Sequence, residues 1–278
     1  MKKVIKTYYA NLANMGDLLN ELLIRNVFEQ DLVRHKPSTS ELSCIGSGMD
    51  CFMVKNKVYP QWYSLALQAR SKFINYPNIV WCTGFLFHEM NDTRFFRKIE
   101  FRSVRGELTK TRVEKITGKK LNIPTGDGGI LAPLLFKKAI PKKYTVGIIP
   151  HMNEYDNPAF HKLKENYSNS IIIDLKQDAM SVIELIAQCE TILSSSLHGL
   201  VVADSFKIPS KWIKVTDLMK GDGFKYHDYY SAYGITNTPT NITTKNVAPT
   251  VNQIIDEYKI KSEQIEQKQK EIYDAFPF

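Results

Sequence analysis

Short apolar runs alternate along this chain with longer stretches whose apolar residues recur at helical spacing. That alternation predicts an α/β architecture with mostly parallel sheets. Val4 to Tyr9 reads as a strand and Asn11 to Gly16 as a loop. A helix follows from Asp17, which stands where an N-cap belongs, with Leu18, Leu19, Leu22, Leu23 and Val27 on its apolar face. Leu42 to Ile45 is a second strand ending in Gly46-Ser47-Gly48, and Ile79 to Thr83 a third ending at Gly84. Ile99 to Val104 is a fourth, running through Arg105-Gly106 into a helix from Glu107 to Ile116. Each strand gives way to a Gly-bearing turn, as expected where backbone must approach a ligand closely.

The same pattern then repeats. Tyr144 to Ile149 and Ser170 to Leu175 read as strands, Pro158 to Tyr167 and Ala179 to Cys189 as helices, and Lys211 to Val215 as a final strand. Two Rossmann-like halves joined near residues 136–143 are implied, with their facing strand ends enclosing a cleft. The expected division is an N-terminal domain over 1–138, a C-terminal domain over 139–245, and a helical tail over 246–278 that folds back onto the body. At 278 residues the chain has ample material for cores of this kind.

Composition narrows the picture without changing it. Hydrophobic residues make up 43% and charged residues 24%, ordinary for a soluble globular protein. The net charge of +8 is spread among acidic neighbours and suits an anionic substrate or an anionic membrane surface. No RNP, zinc-finger or helix-turn-helix signature supports a nucleic-acid partner. Cys44, Cys51, Cys82 and Cys189 lack C-x-x-C spacing and read as small buried hydrophobes in a reducing compartment. The histidines are dispersed without ligand spacing, so no metal site is expected. No secretory signal follows Met1-Lys-Lys and no run is long enough for a membrane span, which points to a cytoplasmic protein.

The stretch Thr191-Ile-Leu-Ser-Ser-Ser-Leu-His-Gly199 carries the most chemistry. An apolar strand enters three serines, a histidine and a glycine, and then an apolar helix closed by Ile208-Pro209. In a parallel sheet such a junction lies outside the carboxyl end of the strand, where ligands bind. The helix N-terminus offers unpaired N–H groups to an anion, and His198 adds a donor that titrates near neutral pH. Capping serines and a structural histidine would look the same in sequence. Arg105 falls out of phase with its strand and is expected at the cleft mouth, where a guanidinium can fork onto phosphate or carboxylate. A surface ion pair is the plain alternative. Asn14, Gly16 and Asp17 form a further candidate loop, without the G-x-G-x-x-G of dinucleotide binders. Asp127, in Gly126-Asp-Gly-Gly129, could bind sugar hydroxyls or shape a turn. Ser194 to Ser196 lack the G-x-S-x-G elbow of a serine hydrolase.

Asn14-x-Gly16-Asp17, Val104-Arg105-Gly106-Glu107, Gly126-Asp127, Ser195-Ser-Leu-His-Gly199, Ala203-Asp204 and Lys225-x-x-Asp228-Tyr229 together resemble the polysaccharide pyruvyl transferase family. Where that family often has proline after the middle Gly-Asp, this chain has Gly128. The resemblance implies a GT-B-like pair of domains and transfer of the enolpyruvyl-derived group of phosphoenolpyruvate to a sugar, as a cyclic ketal. No cofactor is implied. His198 would be general acid or phosphate ligand and Arg105 the carboxylate or phosphate clamp. Ser195, Ser196 and Gly199 would complete the anion site, with Lys225 as a further anion ligand. Asp17, a catalytic candidate that could act as a base, and Asn14 would orient the acceptor, with Gly16, Ser47 and Asp127 as further substrate-binding candidates. The acceptor would be a hexose-containing, lipid-linked glycan precursor met by peripheral association with the cytoplasmic membrane face. Such chemistry serves capsule or exopolysaccharide assembly. A GT-B glycosyltransferase using a nucleotide sugar and a non-catalytic sugar-binding relative are the rival readings.

Overall fold

The computed structural model describes residues 4–10, 14–55, 58–88, 94–216, 222–242 and 248–278. Expectations for Met1 to Lys3, for Asn11 to Ala13 in the first loop and for the start of the tail at 246–247 lie outside the described residues.

The first half contains β1 (Val4–Tyr8), α1 (Met15–Asn26), β2 (Asp31–Arg34), β3 (Leu42–Ser43), α2 (Gln61–Ser71), β4 (Asn78–Val80), β5 (Ile99–Phe101) and α3 (Glu107–Thr117). The second contains β6 (Tyr144–Ile149), α4 (Pro158–Lys164), β7 (Ser170–Ile172), α5 (Ala179–Ala187), β8 (Cys189–Ser194), α6 (Leu197–Ser205), β9 (Ser210–Lys214), α7 (Phe224–Ser231) and β10 (Thr240–Asn241). Two further helices, α8 (Val251–Asp256) and α9 (Ser262–Asp274), end the chain where one helical tail was expected. They are separate because each has its own cap, Thr250 with Gln253 for α8 and the Gln264 side chain on the Lys261 N–H for α9.

The strands form two five-stranded sheets, ordered β2-β1-β3-β4-β5 and β10-β9-β8-β6-β7, and every neighbouring pair is parallel. In both, the strand that opens the cycle lies between the second and third strands of that cycle. The winding direction therefore reverses beside β1 in one sheet and beside β6 in the other. A crevice opens outside the carboxyl ends of the strands at such a reversal.

Three local expectations need correction. Asn14, not Asp17, caps α1: its Oδ1 accepts from the Asp17 N–H at 3.3 Å, which makes Asp17 a first-turn residue. Leu18 points outward, and the buried face of α1 is Met15, Leu19, Leu23 and Ile24. The helix expected to run to Cys189 stops at Ala187, and Cys189 already begins β8. Several elements escaped the apolar pattern, among them β2, α2, α7 and β10. β2 is an edge strand with only Leu32 buried, and α2 buries only Ser64, Leu67 and Ser71.

The halves share one apolar core in which Leu19, Ile45 and Trp81 meet Val182, Leu200 and Val201. A 3-10 helix over Gly128–Leu135 packs against α1, α6 and α9 at this junction. Its glycine run is a close-approach device. A Cβ on Gly128 would stand 2.7 Å from Ile45 Cγ1, and one on Gly129 2.9 Å from Val201 Cγ1. α9 is fastened here too, since Trp81 Nε1 donates to the Ile272 carbonyl at 3.0 Å and Phe28 stacks on Phe276. α7 packs against α3, returning the chain to the first half before β10.

Candidate functional site

A cavity of about 500 Å³ opens at the strand ends of both sheets. It is lined from the first half by Asn14, Asp17 and Ser47, and from the second by His151, Ser196, His198 and Lys225. These residues follow β1, β3, β6 and β8, the strands that flank the two reversals, with Lys225 arriving on α7.

The β8–α6 junction shows how sequence shapes the second wall. Ser194 Oγ accepts from the Ser196 N–H at 3.0 Å and donates to the Ile149 carbonyl, tightening the turn. Ser195 Oγ donates to Glu154 Oε2 and accepts from the His151 N–H, each at 2.8 Å, while its carbonyl accepts from Tyr226 OH. Ser195 is therefore framework, fully buried behind the wall. Ser196 is the N-cap of α6 but makes no side-chain cap, so the first N–H groups of that helix are left for something else. Gly199 also lies behind the wall, against Ser194 Oγ and Ile149.

His198 is the second residue of α6, and its ring lies on Gly16. A Cβ at Gly16 would stand 2.1 Å from Nδ1, so only glycine admits the imidazole there. The His198 Nε2 is buried without a hydrogen-bond partner, an unusual condition for a ring nitrogen. Burial, with Lys225 and Arg105 nearby, pushes the imidazole pKa down to about 3. His151 is lowered to about 4 by burial and by Lys225 and His198. Lys225 is lowered to about 8 by burial and Arg105, with Glu154 pulling the other way. Among the described residues the Lys225 ammonium has no hydrogen-bonded or ion-paired partner, only the Tyr226 ring 5.1 Å from its Nζ. Two neutral imidazoles, one desolvated ammonium and an uncapped helix end thus share one wall. An anion placed there would relieve all of them.

The opposite wall is polar and acidic. Asn14 Nδ2 donates to Asp17 Oδ2 at 3.1 Å and also reaches Met152 Sδ at 3.5 Å, linking the two halves at the rim. Asn20 Nδ2 donates to the carbonyls of Asp17 and Ile45, which ties α1 to the end of β3. Ser47 Oγ accepts from Arg105 Nη1 at 2.7 Å.

Arg105 does not stand at the mouth. It is fully buried, with Nε on Asp228 Oδ2 at 2.9 Å and Nη2 on the Phe85 carbonyl at 2.6 Å. Asp228 also accepts from the N–H and hydroxyl of Thr109, each at 2.7 Å. The strand-end arginine therefore locks β5–α3 to α7 and reaches the cavity only through Ser47. Asp127 is likewise buried away from the cavity. Its Oδ1 caps the 3-10 helix at the Gly129 N–H, and burial raises its pKa to about 6. Asp204 is a third such group, held by Ser210 and Tyr229. His151 was missed from sequence, although it follows a buried strand through Ile149-Pro150 at the winding reversal and position alone could have found it.

Two parallel sheets with matched reversals make this an α/β protein whose cavity has unbonded nitrogen donors on one side and a carboxylate on the other. A model of the polysaccharide pyruvyl transferase family matches residues 14–215, and the chain belongs to that family. The matched span holds both walls except Lys225. The succinoglycan biosynthesis protein ExoV of Rhizobium meliloti is 26% identical over 166 residues, covering 58% of this chain and 49% of that protein. The chain thus spans about half the length of that relative. An uncharacterized protein of Acanthamoeba polyphaga mimivirus is 23% identical over 239 residues, covering 84% of this chain and 76% of its own length.

Proposed function

We propose that the protein transfers the enolpyruvyl-derived group of phosphoenolpyruvate to a hexose of a lipid-linked glycan precursor, forming a pyruvate ketal. The observation that carries this reading is the unpartnered wall of His198, Lys225 and the α6 N-terminus facing Asn14 and Asp17. The two sheets are read as a GT-B-like pair with the donor on the second half and the acceptor on the first. Peripheral contact with a membrane face would bring the acceptor, since no helix among the described residues is long and apolar enough to cross one.

The chemistry assigns each wall a task. Phosphoenolpyruvate presents a phosphate to the α6 N–H groups, Lys225 Nζ and His198 Nε2. Protonation of its methylene carbon creates an oxocarbenium-like C2. One sugar hydroxyl adds there and gives up its proton. The C2–phosphate bond then breaks, and a second hydroxyl closes the ketal. One diol proton ends on the new methyl group and the other on the departing phosphate, so charge and atoms balance. Asp17, oriented by Asn14, accepts a hydroxyl proton. Burial keeps His198 neutral near pH 7, so it is a phosphate donor first. The bound dianion raises its pKa and lets it carry the proton.

The test is phosphate release from phosphoenolpyruvate with a panel of lipid-linked glycans, alongside thermal shifts with nucleotide sugars. Release coupled to acceptor, with no stabilisation by nucleotide sugars, is expected. Stabilisation by nucleotide sugars alone would make the protein a glycosyltransferase instead.

A further inference from the structure

A second cavity, of about 410 Å³, adjoins the first, and nothing in the reaction described above uses it. It lies outside the carboxyl end of β2, on the same side of the first sheet as the reaction cavity, because all the strands are parallel. Its walls carry Arg34, Lys36 and Arg70 and three rings, Tyr8, Tyr59 and Tyr63, with no aspartate or glutamate. Among the described residues none of the three cations is paired with a carboxylate. Arg34 spends only its Nε, on the Tyr9 carbonyl at 3.3 Å, and Lys36 Nζ sits 5.7 Å from the centre of the Tyr63 ring. The Tyr8 and Tyr59 hydroxyls meet at 3.0 Å on the shared wall. Tyr8, Arg34 and Tyr59 line both cavities, so the two lie side by side across these residues.

We infer that this second cavity is an acceptor subsite that reads a diphosphate. The inference rests on the pyruvyl transfer reading and names the acceptor's chemistry. A sugar entering the reaction cavity from this side passes over tyrosine rings, which suit the apolar face of a pyranose. The group that follows it reaches three unneutralised cations, two of them guanidiniums able to fork onto phosphate oxygens. All three cations are exposed to solvent, so a neutral glycan would make little use of their charge, and a single carboxylate would engage too little of it. A diphosphate matches it. The reacting hydroxyls are then held at a fixed distance from the anionic end, so the subsite selects which sugar in a chain is modified.

The probe is inorganic diphosphate, titrated calorimetrically into the full chain, into a Lys36→Gln/Arg70→Gln double variant and into Lys225→Met. Lys36 and Arg70 are exposed, so the double variant keeps its fold. The expected result is binding at least about tenfold weaker in the double variant and nearly unchanged in Lys225→Met. Loss in Lys225→Met alone would overturn the second subsite while leaving the reaction cavity as an anion site. Unchanged binding in both variants would overturn it as well. Should phosphoenolpyruvate fail to bind while the tenfold loss is seen, the donor reading fails and the subsite stands. Farnesyl diphosphate binding more tightly than inorganic diphosphate identifies a lipid carrier as the source, and equal binding identifies a soluble phosphorylated glycan. Both hold the diphosphate assignment.

Discussion

Two clusters of charged residues lie close together in this molecule and treat their charges oppositely. In one, Arg105 and Asp228 are sealed from water and every donor nitrogen of the guanidinium is engaged. In the other, Lys225 and the His198 Nε2 face a cavity with no hydrogen-bonded partner among the described residues. Both draw on residue types that attract attention in a sequence. Satisfaction and position together separate these two: the Arg105–Asp228 pair is fully bonded, whereas the unbonded His198 Nε2 and the Lys225 ammonium line a cavity that a ligand can enter.

The comparison breaks most easily at the sealed cluster. Arg105→Met leaves Asp228 buried without its counter-charge and should cost about 3–5 kcal/mol of stability, measured by urea denaturation. Wild-type stability in that variant would return Arg105 to the role of a ligand clamp. Gly16→Ala sharpens the other side. The added methyl cannot coexist with the His198 ring, so turnover should fall roughly 100-fold through a misplaced imidazole, and a second change, His198→Ala, should add little to that loss. Fully additive losses in the double variant would separate the two residues.

A smaller effect reads His198 by pH. His198 resists protonation in the folded protein down to about 3, whereas the unfolded chain takes a proton near its ordinary value. The unfolded state therefore binds more protons between those values, and stability falls as pH drops through that window. One such group contributes up to about 1.4 kcal/mol per pH unit. Asp127 and Asp204, raised to about 6 and about 7 by burial, act with the opposite sign, because the folded state holds their protons longer. The difference between wild type and His198→Gln isolates the histidine. The variant should lose less stability on acidification from neutral pH, and an unchanged slope would place His198 in solvent.

The alternation of strands and helices was legible because buried strands must be apolar and the helices around them amphipathic. Tyr144 to Ile149 and Glu107 onward came out nearly residue for residue. β2 and α2 were silent because an edge strand with only Leu32 buried, and a helix resting on Leu67 and two serines, write almost nothing in apolar spacing. Asp17 was misread as a cap because Asn14, three residues earlier, does that work. At the site, Ser196, His198 and Lys225 line the cavity as their places in the motifs suggested, while Arg105, Asp127, Ser195 and Gly199, singled out on the same grounds, lie buried outside its lining. Sequence shows that a charged group is present but not whether its partners arrive from elsewhere. Asp228 lies 123 positions from Arg105 and settles that question only in three dimensions.

The most direct measurement is the affinity of the full chain for phosphoenolpyruvate, by calorimetry, in wild type and in a His198→Gln/Lys225→Met double variant. The double variant should bind at least about 100-fold more weakly, since two ligands to a desolvated phosphate are lost, with an unfolding midpoint equal to or above wild type because an unpaired ammonium is gone. Wild-type affinity in that variant would contradict the assignment of this wall to the phosphate.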